Sequence, residues 1–456
     1  MADFASHIPP VANGSYPLRA GNLVRPLIDG ERAFGRICAA IEAARHSVWV
    51  TVAFLAPDFA MPGNHGTLFD VLDRAGARGL DVRAIFWRPP ADNEWAAFAF
   101  WGSSEHREML HARKSRFRAR WDGAGNTICL HQKSWLVDAG QPSEIAFVGG
   151  MNLNPKSVAV PGHADGSWHD VYAEIIGPAA TDVHHNFVQR WNEASERLLD
   201  DGSWGHDGKD DLAFPARLSA TKGTVTVQMQ RTIDAGRYSD GSPSPQAAAF
   251  AIAGGERSIF TQYLQAIGAA KRAIYIENQF VSAPEIAAAL DDALTRGVDV
   301  VVLVPAEPDK GVRAARAKPE RRAFFDQLAA LDRHQRFALC GIAAPDGAQR
   351  RSNIYIHGKV MLVDDAWATI GSCNLHANSL FQQTELNASF WDAPTVRALR
   401  CDLFAEHLHR DTSAMDDRTA LELYRQIAQQ NRRRRDAGDF DWQGLAFRLD
   451  AARYGE

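Results

Sequence analysis

The chain has 456 residues, 23% of them charged and 46% hydrophobic, which excludes a disordered, collagen-like or coiled-coil protein. Lysine and arginine number 50 against 55 aspartates and glutamates, so the net charge is -5 and a whole-molecule basic field for gripping nucleic acid is excluded, although local basic patches are not. Five cysteines, Cys38, Cys129, Cys340, Cys373 and Cys401, show no C-x-x-C or framework spacing and are expected to be free thiols in a reducing compartment.

In chain order, residues 1–7 show no basic region and no apolar run, so no secretory signal is expected, and no apolar stretch approaches the ~18 residues of a spanning helix. A cytoplasmic protein with at most peripheral membrane contact is the expectation. Residues 44–54 are a β-branched and aromatic run that predicts a strand. The spacing of Leu68, Val71, Leu72 and Ala75 predicts a helix over 66–78, ended by Gly79 and followed by an apolar strand. Trp87, Trp95, Phe98, Phe100 and Trp101 would line an acyl-chain entrance or simply fill core. Arg107, Arg113, Lys114, Arg116, Arg118 and Arg120, with Phe117 and Trp121 among them, form a basic stretch; Arg432 to Arg435 form another. Both suit an anionic lipid surface or a solvated face equally. His184 and His185, adjacent on a predicted helix, point about 100° apart and cannot chelate one ion.

The second half repeats this order. Residues 270–280 parallel 44–54, and 356–364 parallel 130–138, both 226 positions on, with 296–300 matching 78–82 between them. A second helix is predicted over 285–296, with Ile286, Leu290 and Leu294 on one face and Gly297 at its end, followed by the strand 300–304. Three matches in one order predict two copies of one βαβ-containing unit, over residues 1–210 and 211–456, with the Gly-, Asp- and Ser-rich segment 200–244 as the joint.

Each copy carries His-x-Lys-x4-Asp in an apolar strand pattern: His131, Lys133 and Asp138, then His357, Lys359 and Asp364. A strand has a period of two, so each His and Lys project from one face toward one point. A phosphate suits that point: imidazole can attack phosphorus or deliver a proton, and ammonium offsets phosphoryl charge. Gly149, Gly150 and Asn152 follow the first motif, and Gly371, Ser372 and Asn374 the second. Asn152, Asn374 and Ser372 are candidate phosphate contacts, whereas Asp138 and Asp364 are expected to brace the scaffold by pairing with a basic group. One His-x-Lys on a strand is usually a solvated edge or a satisfied core histidine, but two completed copies make coincidence the weaker account. Two lysines, two asparagines and a protonated imidazole can carry the phosphate charge, and no His-Glu-x-x-His or cysteine cluster exists, so neither a metal nor a cofactor is expected.

These residues resemble the phospholipase D superfamily, marked by duplicated His-x-Lys-x4-Asp motifs with a following Gly-Ser-x-Asn. The second copy matches in full, including six residues between Asp364 and Gly371; the first has Gly150 in place of the serine and ten residues before Gly149. Residues 167–171, 175–180 running into 186–191, and 274–280 are similar to the blocks of the eukaryotic-type branch. The resemblance implies two similar α/β/α sandwich lobes related by a pseudo-two-fold, with the active site at their interface, so that a monomer suffices for a complete site. It implies a covalent phosphohistidine and a carboxylate behind each histidine. The resembling carboxylates are Asp170 and Glu385, expected behind His131 as nucleophile and behind His357 as general acid and base, respectively. The implied activity is that of a phospholipase D acting on phospholipid, with transphosphatidylation. A cardiolipin-synthase-like phosphatidyltransferase, a nuclease and a non-catalytic phospholipid-binding protein are the alternatives; the charge argues against nucleic acid as partner. The stretch before residue 24 is too short for the calcium- or phosphoinositide-dependent lipid modules of plant and animal enzymes, so calcium-dependent recruitment is not expected.

Overall fold

The computed structural model describes residues 6–89, 99–123, 129–163, 166–195, 210–319, 322–347 and 350–456. Two mixed sheets repeat one strand order. The first contains β1 (Arg19–Ile28), β2 (Ser47–Val52), β3 (Asp81–Trp87), β4 (Arg118–Asp122), β5 (Ser134–Val137), β6 (Ile145–Gly149) and β7 (Val171–Ile176), arranged β1-β7-β6-β5-β2-β3-β4. The second contains β8 (Val225–Ile233), β9 (Ala273–Asn278), β10 (Asp299–Leu303), β11 (Phe337–Pro345), β12 (Lys359–Val363), β13 (Trp367–Gly371) and β14 (Glu385–Trp391), arranged β8-β14-β13-β12-β9-β10-β11. In both, the last three strands run parallel and the remaining pairings are antiparallel.

The strands are apolar on both faces because helices cover both. In β2, Val48, Val50 and Val52 pack under the helices Gly30–Ala43 and Leu68–Ala77, while Trp49 turns inward and stacks 5.1 Å from Phe187 of the helix Ala180–Asn192. In β9, Ile274 and Ile276 meet the helices Ser258–Ala269 and Pro284–Thr295, and Tyr275 meets Phe404 and Tyr424 of the helices Ala393–Leu408 and Asp417–Asp436. Full burial of each such side chain stabilises by about 1.5–3 kcal/mol, so alternation inside each strand builds the α/β/α sandwich expected above. Gly79 and Gly297, at φ 83° and 86°, end the two predicted helices in the left-handed conformation that favours glycine.

The lobes are sewn together. β1 pairs with β8 through Arg19↔Val227 and Asn22↔Val225, so the predicted joint contains the first strand of the second sheet. Gly- and Ser-rich flanks hid the alternating core of Val225–Ile233. The N-terminal stretch also crosses over: the Trp391 indole donates to the Ile8 carbonyl at 2.9 Å, and the Val11 amide to Gln228 Oε1 at 3.1 Å.

Asp138 and Asp364, expected to pair with a basic group, chiefly accept backbone amides instead. The Asp138 carboxylate accepts the amides of Arg45, His46 and Ser47, and the Asp364 carboxylate those of Lys271, Arg272 and Ala273. Among the described residues, Asp364 alone of the two adds a basic side chain, His7 at 2.8 Å. Several members of the basic stretches are paired within the fold, while Lys114, Arg116 and Arg433 are exposed. Arg113 pairs with Asp70 and Asp73, Arg118 with Asp210, and buried Arg120 with Asp211; Arg432 pairs with Asp436, and Arg435 lies over Phe447. His184 bonds Glu144 and His185 bonds Tyr16 and the Ser242 carbonyl, so the two rings serve separate contacts. Phe100 is core, and Trp95 and Phe98 lie outside the described residues. All five cysteines are free thiols, and no described helix is long and apolar enough to cross a membrane.

Candidate active site

His131 and Lys133 lie on the lead-in to β5 rather than within it, and His357 just precedes β12, whose first residue is Lys359. Each lead-in is held by a short bridge to the other lobe. The His131 amide donates to the Thr384 carbonyl at 2.9 Å, and the His357 amide to the His169 carbonyl at 2.8 Å. The residue after each bridge partner is a carboxylate, Glu385 or Asp170. Both histidines therefore take their carboxylate from the opposite lobe. His131 Nδ1 lies 3.0 Å from Glu385 Oε2, and His357 Nδ1 lies 2.6 Å from Asp170 Oδ2. This reverses the expected pairing: Asp170 stands behind His357 and Glu385 behind His131, because the sheets face one another and each supplies the other's support.

A carboxylate on Nδ1 keeps the proton there and turns Nε2 toward the cavity that both rings line, of about 700 Å³. Asn152 and Asn374 line it as well, with Asn152 Nδ2 3.3 Å from His357 Nε2. Each lysine donates to the carbonyl of its own histidine, Lys133 at 2.7 Å, and Lys359 also reaches Gln279 Oε1 at 3.1 Å. Ser372 departs from its expected phosphate role: its buried hydroxyl donates to Glu385 Oε2 at 2.6 Å, and its carbonyl lies 3.1 Å from His131 Nδ1. Ser379, not singled out in the sequence, donates to Glu385 Oε1 at 2.6 Å. At the equivalent of Ser372, a Cβ on Gly150 would stand 2.6 Å from Asp170 Oδ1 and 3.0 Å from Lys359 Cδ. Glycine leaves room for the carboxylate and the lysine. Gly149 and Gly371 let β6 and β13 approach β7 and β14: a Cβ would meet the Val171 carbonyl at 2.6 Å and Asn387 Oδ1 at 2.0 Å.

Burial governs the charges. It lowers Lys133 to about 8 and Lys359 to about 7, and it lifts Asp170 to about 7 despite Lys359. Burial would also raise Glu385, but His131, Lys133 and the Ser372 hydroxyl outweigh it and hold that carboxyl below its ordinary value. His131 is held below its ordinary value by burial against the pull of Glu385; His357 lies well below, through burial and the two lysines. Two lysines and two imidazoles beside two carboxylates make a site that can hold an anion.

Behind Asp170 lies a second buried network, of which only His169 and Glu277 stood inside blocks marked out in the sequence. His163 Nε2 is 2.9 Å from Glu406 Oε1 and 3.0 Å from Asp29 Oδ2, and His169 sits 3.1 Å from both Asp29 Oδ1 and Glu277 Oε2. Among the described residues, Asp29, His163, His169 and Glu406, and His169, Glu277 and His407, are the groups close enough to share an ion. Asp29, His163, His169, Glu406 and Glu277 pair with one another, whereas His407 Nδ1 bonds the Tyr275 hydroxyl at 3.0 Å. Burial opposes charge on the imidazoles, yet the carboxylates lift His163 to about 9 and His169 well above its ordinary value. The network joins the lobes and anchors the peptide that carries Asp170.

A family model described as "Cardiolipin synthase, PLD-like domain" matches residues 37–191 and 263–407, and one described as "Phospholipase D" matches 157–284. The chain is 24% identical to phospholipase D alpha 2 of Oryza sativa subsp. japonica over 88% of its length and 66% of the relative's. It is 24% identical to phospholipase D A of Dictyostelium discoideum, spanning 82% of this chain and 33% of that one. It is 27% identical to cardiolipin synthase A of Pseudomonas putida, spanning 80% and 64%. The chain thus spans between a third and two thirds of these relatives' lengths. The fold matches the crystal structure of phosphatidylserine synthase from Haemophilus influenzae Rd KW20, with a TM-score of 0.56 at 14% identity over 93% of this chain and 96% of that one.

Proposed function

Because the chain belongs to the phospholipase D superfamily, we propose that it is a phospholipase D that cleaves the distal phosphodiester of glycerophospholipids such as phosphatidylcholine. Phosphatidic acid and a free alcohol are released, and the phosphatidyl group is transferred when an alcohol replaces water. The observation that carries this reading is the pair of imidazoles on one cavity, each backed by a carboxylate from the opposite lobe.

His131 Nε2 attacks phosphorus, the bond to the head-group oxygen breaks, and the leaving oxygen takes the proton from protonated His357. Neutral His357 then takes a proton from water or an alcohol as that oxygen attacks phosphorus; the P–N bond breaks and its electron pair returns to His131. Glu385 steadies the imidazolium on His131 and Asp170 that on His357. Lys133, Lys359, Asn152 and Asn374 hold the non-bridging oxygens. A bound phosphate offsets the two lysines and so raises His357 toward the protonated form the first step needs. The protein meets its lipid peripherally.

A cardiolipin-synthase-like transfer is the second reading, favoured by the family description and the Pseudomonas relatives. Purified protein with phosphatidylcholine in mixed micelles, EDTA and ethanol should give choline and phosphatidylethanol. Plasmid cleavage without lipid turnover overturns both lipid readings, and diphosphatidylglycerol from phosphatidylglycerol without choline release favours the second.

A further inference from the structure

Four side chains of the buried network behind Asp170 converge on one point. His163 Nε2 faces two carboxylates at once, Glu406 Oε1 at 2.9 Å and Asp29 Oδ2 at 3.0 Å, although a ring nitrogen carries one hydrogen and can aim it at only one of them. His169 Nδ1 lies 3.1 Å from Asp29 Oδ1, yet among the described residues it has no partner in hydrogen-bond geometry. Both imidazoles are fully buried, and donor atoms from Asp29, His163, His169 and Glu406 all lie within 4.8 Å of one another. Four donors about 2.0–2.2 Å from a shared zinc ion stand roughly 3.3–3.6 Å apart in a tetrahedron, so these contacts need open only slightly to admit one.

The outer nitrogens are held as imidazole ligands require. His169 Nε2 is 3.1 Å from Glu277 Oε2 and His163 Nδ1 is 3.3 Å from Ser167 Oγ, so each ring can keep its proton outside and turn a lone pair inward. Glu277 in turn accepts the Tyr275 hydroxyl at 2.8 Å. The rival trio His169, Glu277 and His407 offers three donors instead of four and would draw Glu277 away from this supporting role. Two imidazole nitrogens with two carboxylate oxygens suit zinc better than calcium or magnesium, which take oxygen ligands. Glu406 is the most exposed of the four, at 13%, and marks the entry path.

We propose that Asp29, His163, His169 and Glu406 bind one zinc ion as a structural clamp between the lobes. Three ligands come from the first lobe, and Glu406 comes from the helix Ala393–Leu408 of the second. The clamp reaches the site through Asp29, whose amide donates to the Asp170 carbonyl at 2.9 Å. The phosphate chemistry itself stays metal-independent, because the ion sits behind Asp170 and not in the cavity. Protonated His163 and His169 belong to the metal-free protein, and a zinc ion takes the place of their two protons without changing the charge of the site.

The test strips the full chain by prolonged dialysis against a strong chelator, reloads it with zinc chloride and counts the metal by elemental analysis. Wild type should hold one zinc per chain, and His163→Gln and Glu406→Gln should each lose it. Zinc at 100 times its Kd should raise the folding equilibrium constant of wild type about 100-fold and leave both variants unmoved, read from denaturant midpoints. X-ray absorption of the zinc-loaded wild type should count two imidazoles and two oxygens, which decides the ligand set even where a variant fails to fold. No stoichiometric zinc in wild type, zinc retained in either folded variant, or any other ligand set overturns the clamp. None of these measurements reads lipid turnover, so failure of the clamp leaves the phospholipase reading standing.

Discussion

The two halves of the site share a backbone plan and differ in the support given to each carboxylate. Glu385 takes two serine hydroxyls at 2.6 Å, whereas Asp170 faces Gly150, where no hydroxyl can stand, and accepts the Val171 amide at 2.7 Å. One carboxyl is held below its ordinary value and the other is lifted to about 7. Duplication supplies two equivalent imidazoles, and the neighbours of their carboxylates make them inequivalent. In the proposed mechanism, a firmly ionised Glu385 suits the histidine that would carry positive charge through a covalent intermediate, and a carboxyl poised near neutrality suits the one that would exchange protons.

The sharpest way to break this comparison is to remove each imidazole. His131→Asn and His357→Asn should each lose about 10⁴-fold or more in steady-state turnover. On a phosphatidyl p-nitrophenyl ester, whose leaving group needs no proton, His357→Asn should release one equivalent of p-nitrophenol and keep the phosphoenzyme, and His131→Asn should release none. The opposite pattern would exchange the two roles.

Next come the carboxylates. Glu385→Gln should lower kcat by about 10³ and Asp170→Asn by about 10², because an amide nitrogen beside two hydroxyl donors and an imidazole N-H is more disruptive than loss of a half-protonated group. Equal losses would erase the asymmetry. Smaller effects should follow from exchanging the residues in front of them. Gly150→Ser should cost about 1–3 kcal/mol of stability by overpacking against Asp170, whereas Ser372→Gly should cost about 1–2 kcal/mol through a lost charge-assisted hydrogen bond, both read from denaturant midpoints.

The weakest expected effect lies behind Asp170. His163 is lifted to about 9, so its stabilisation is full below the unfolded value of about 6.5 and disappears as the pH rises through 9. The difference in unfolding free energy between wild type and His163→Gln, read from denaturant midpoints, should therefore shrink across that window, by at most on the order of 3 kcal/mol. A constant difference would mean the imidazole is neutral throughout.

Much of this was legible in the sequence. The His-x-Lys pairs stood out because two copies kept one spacing, the repeated runs 44–54 and 270–280 gave a duplicated βαβ pattern, and the α/β/α lobes came from the family resemblance. Val225–Ile233 was lost among loop-forming neighbours, since propensity averages over flanks. Ser379, Asp29 and Glu406 carried no signature, although Gln279 stood inside a block already marked out.

By itself the sequence determined that one unit is duplicated and which family and fold it resembles, and it put forward the candidate side chains of two half-sites, because repetition and motif spacing are local properties. Only the tertiary structure decided which carboxylate serves which histidine. Glu385 meets His131 across 254 residues and Asp170 meets His357 across 187, contacts created by two sheets facing each other. No local preference along the chain encodes that facing, so proximity in sequence pointed each carboxylate to its neighbour in the chain rather than to its partner in space.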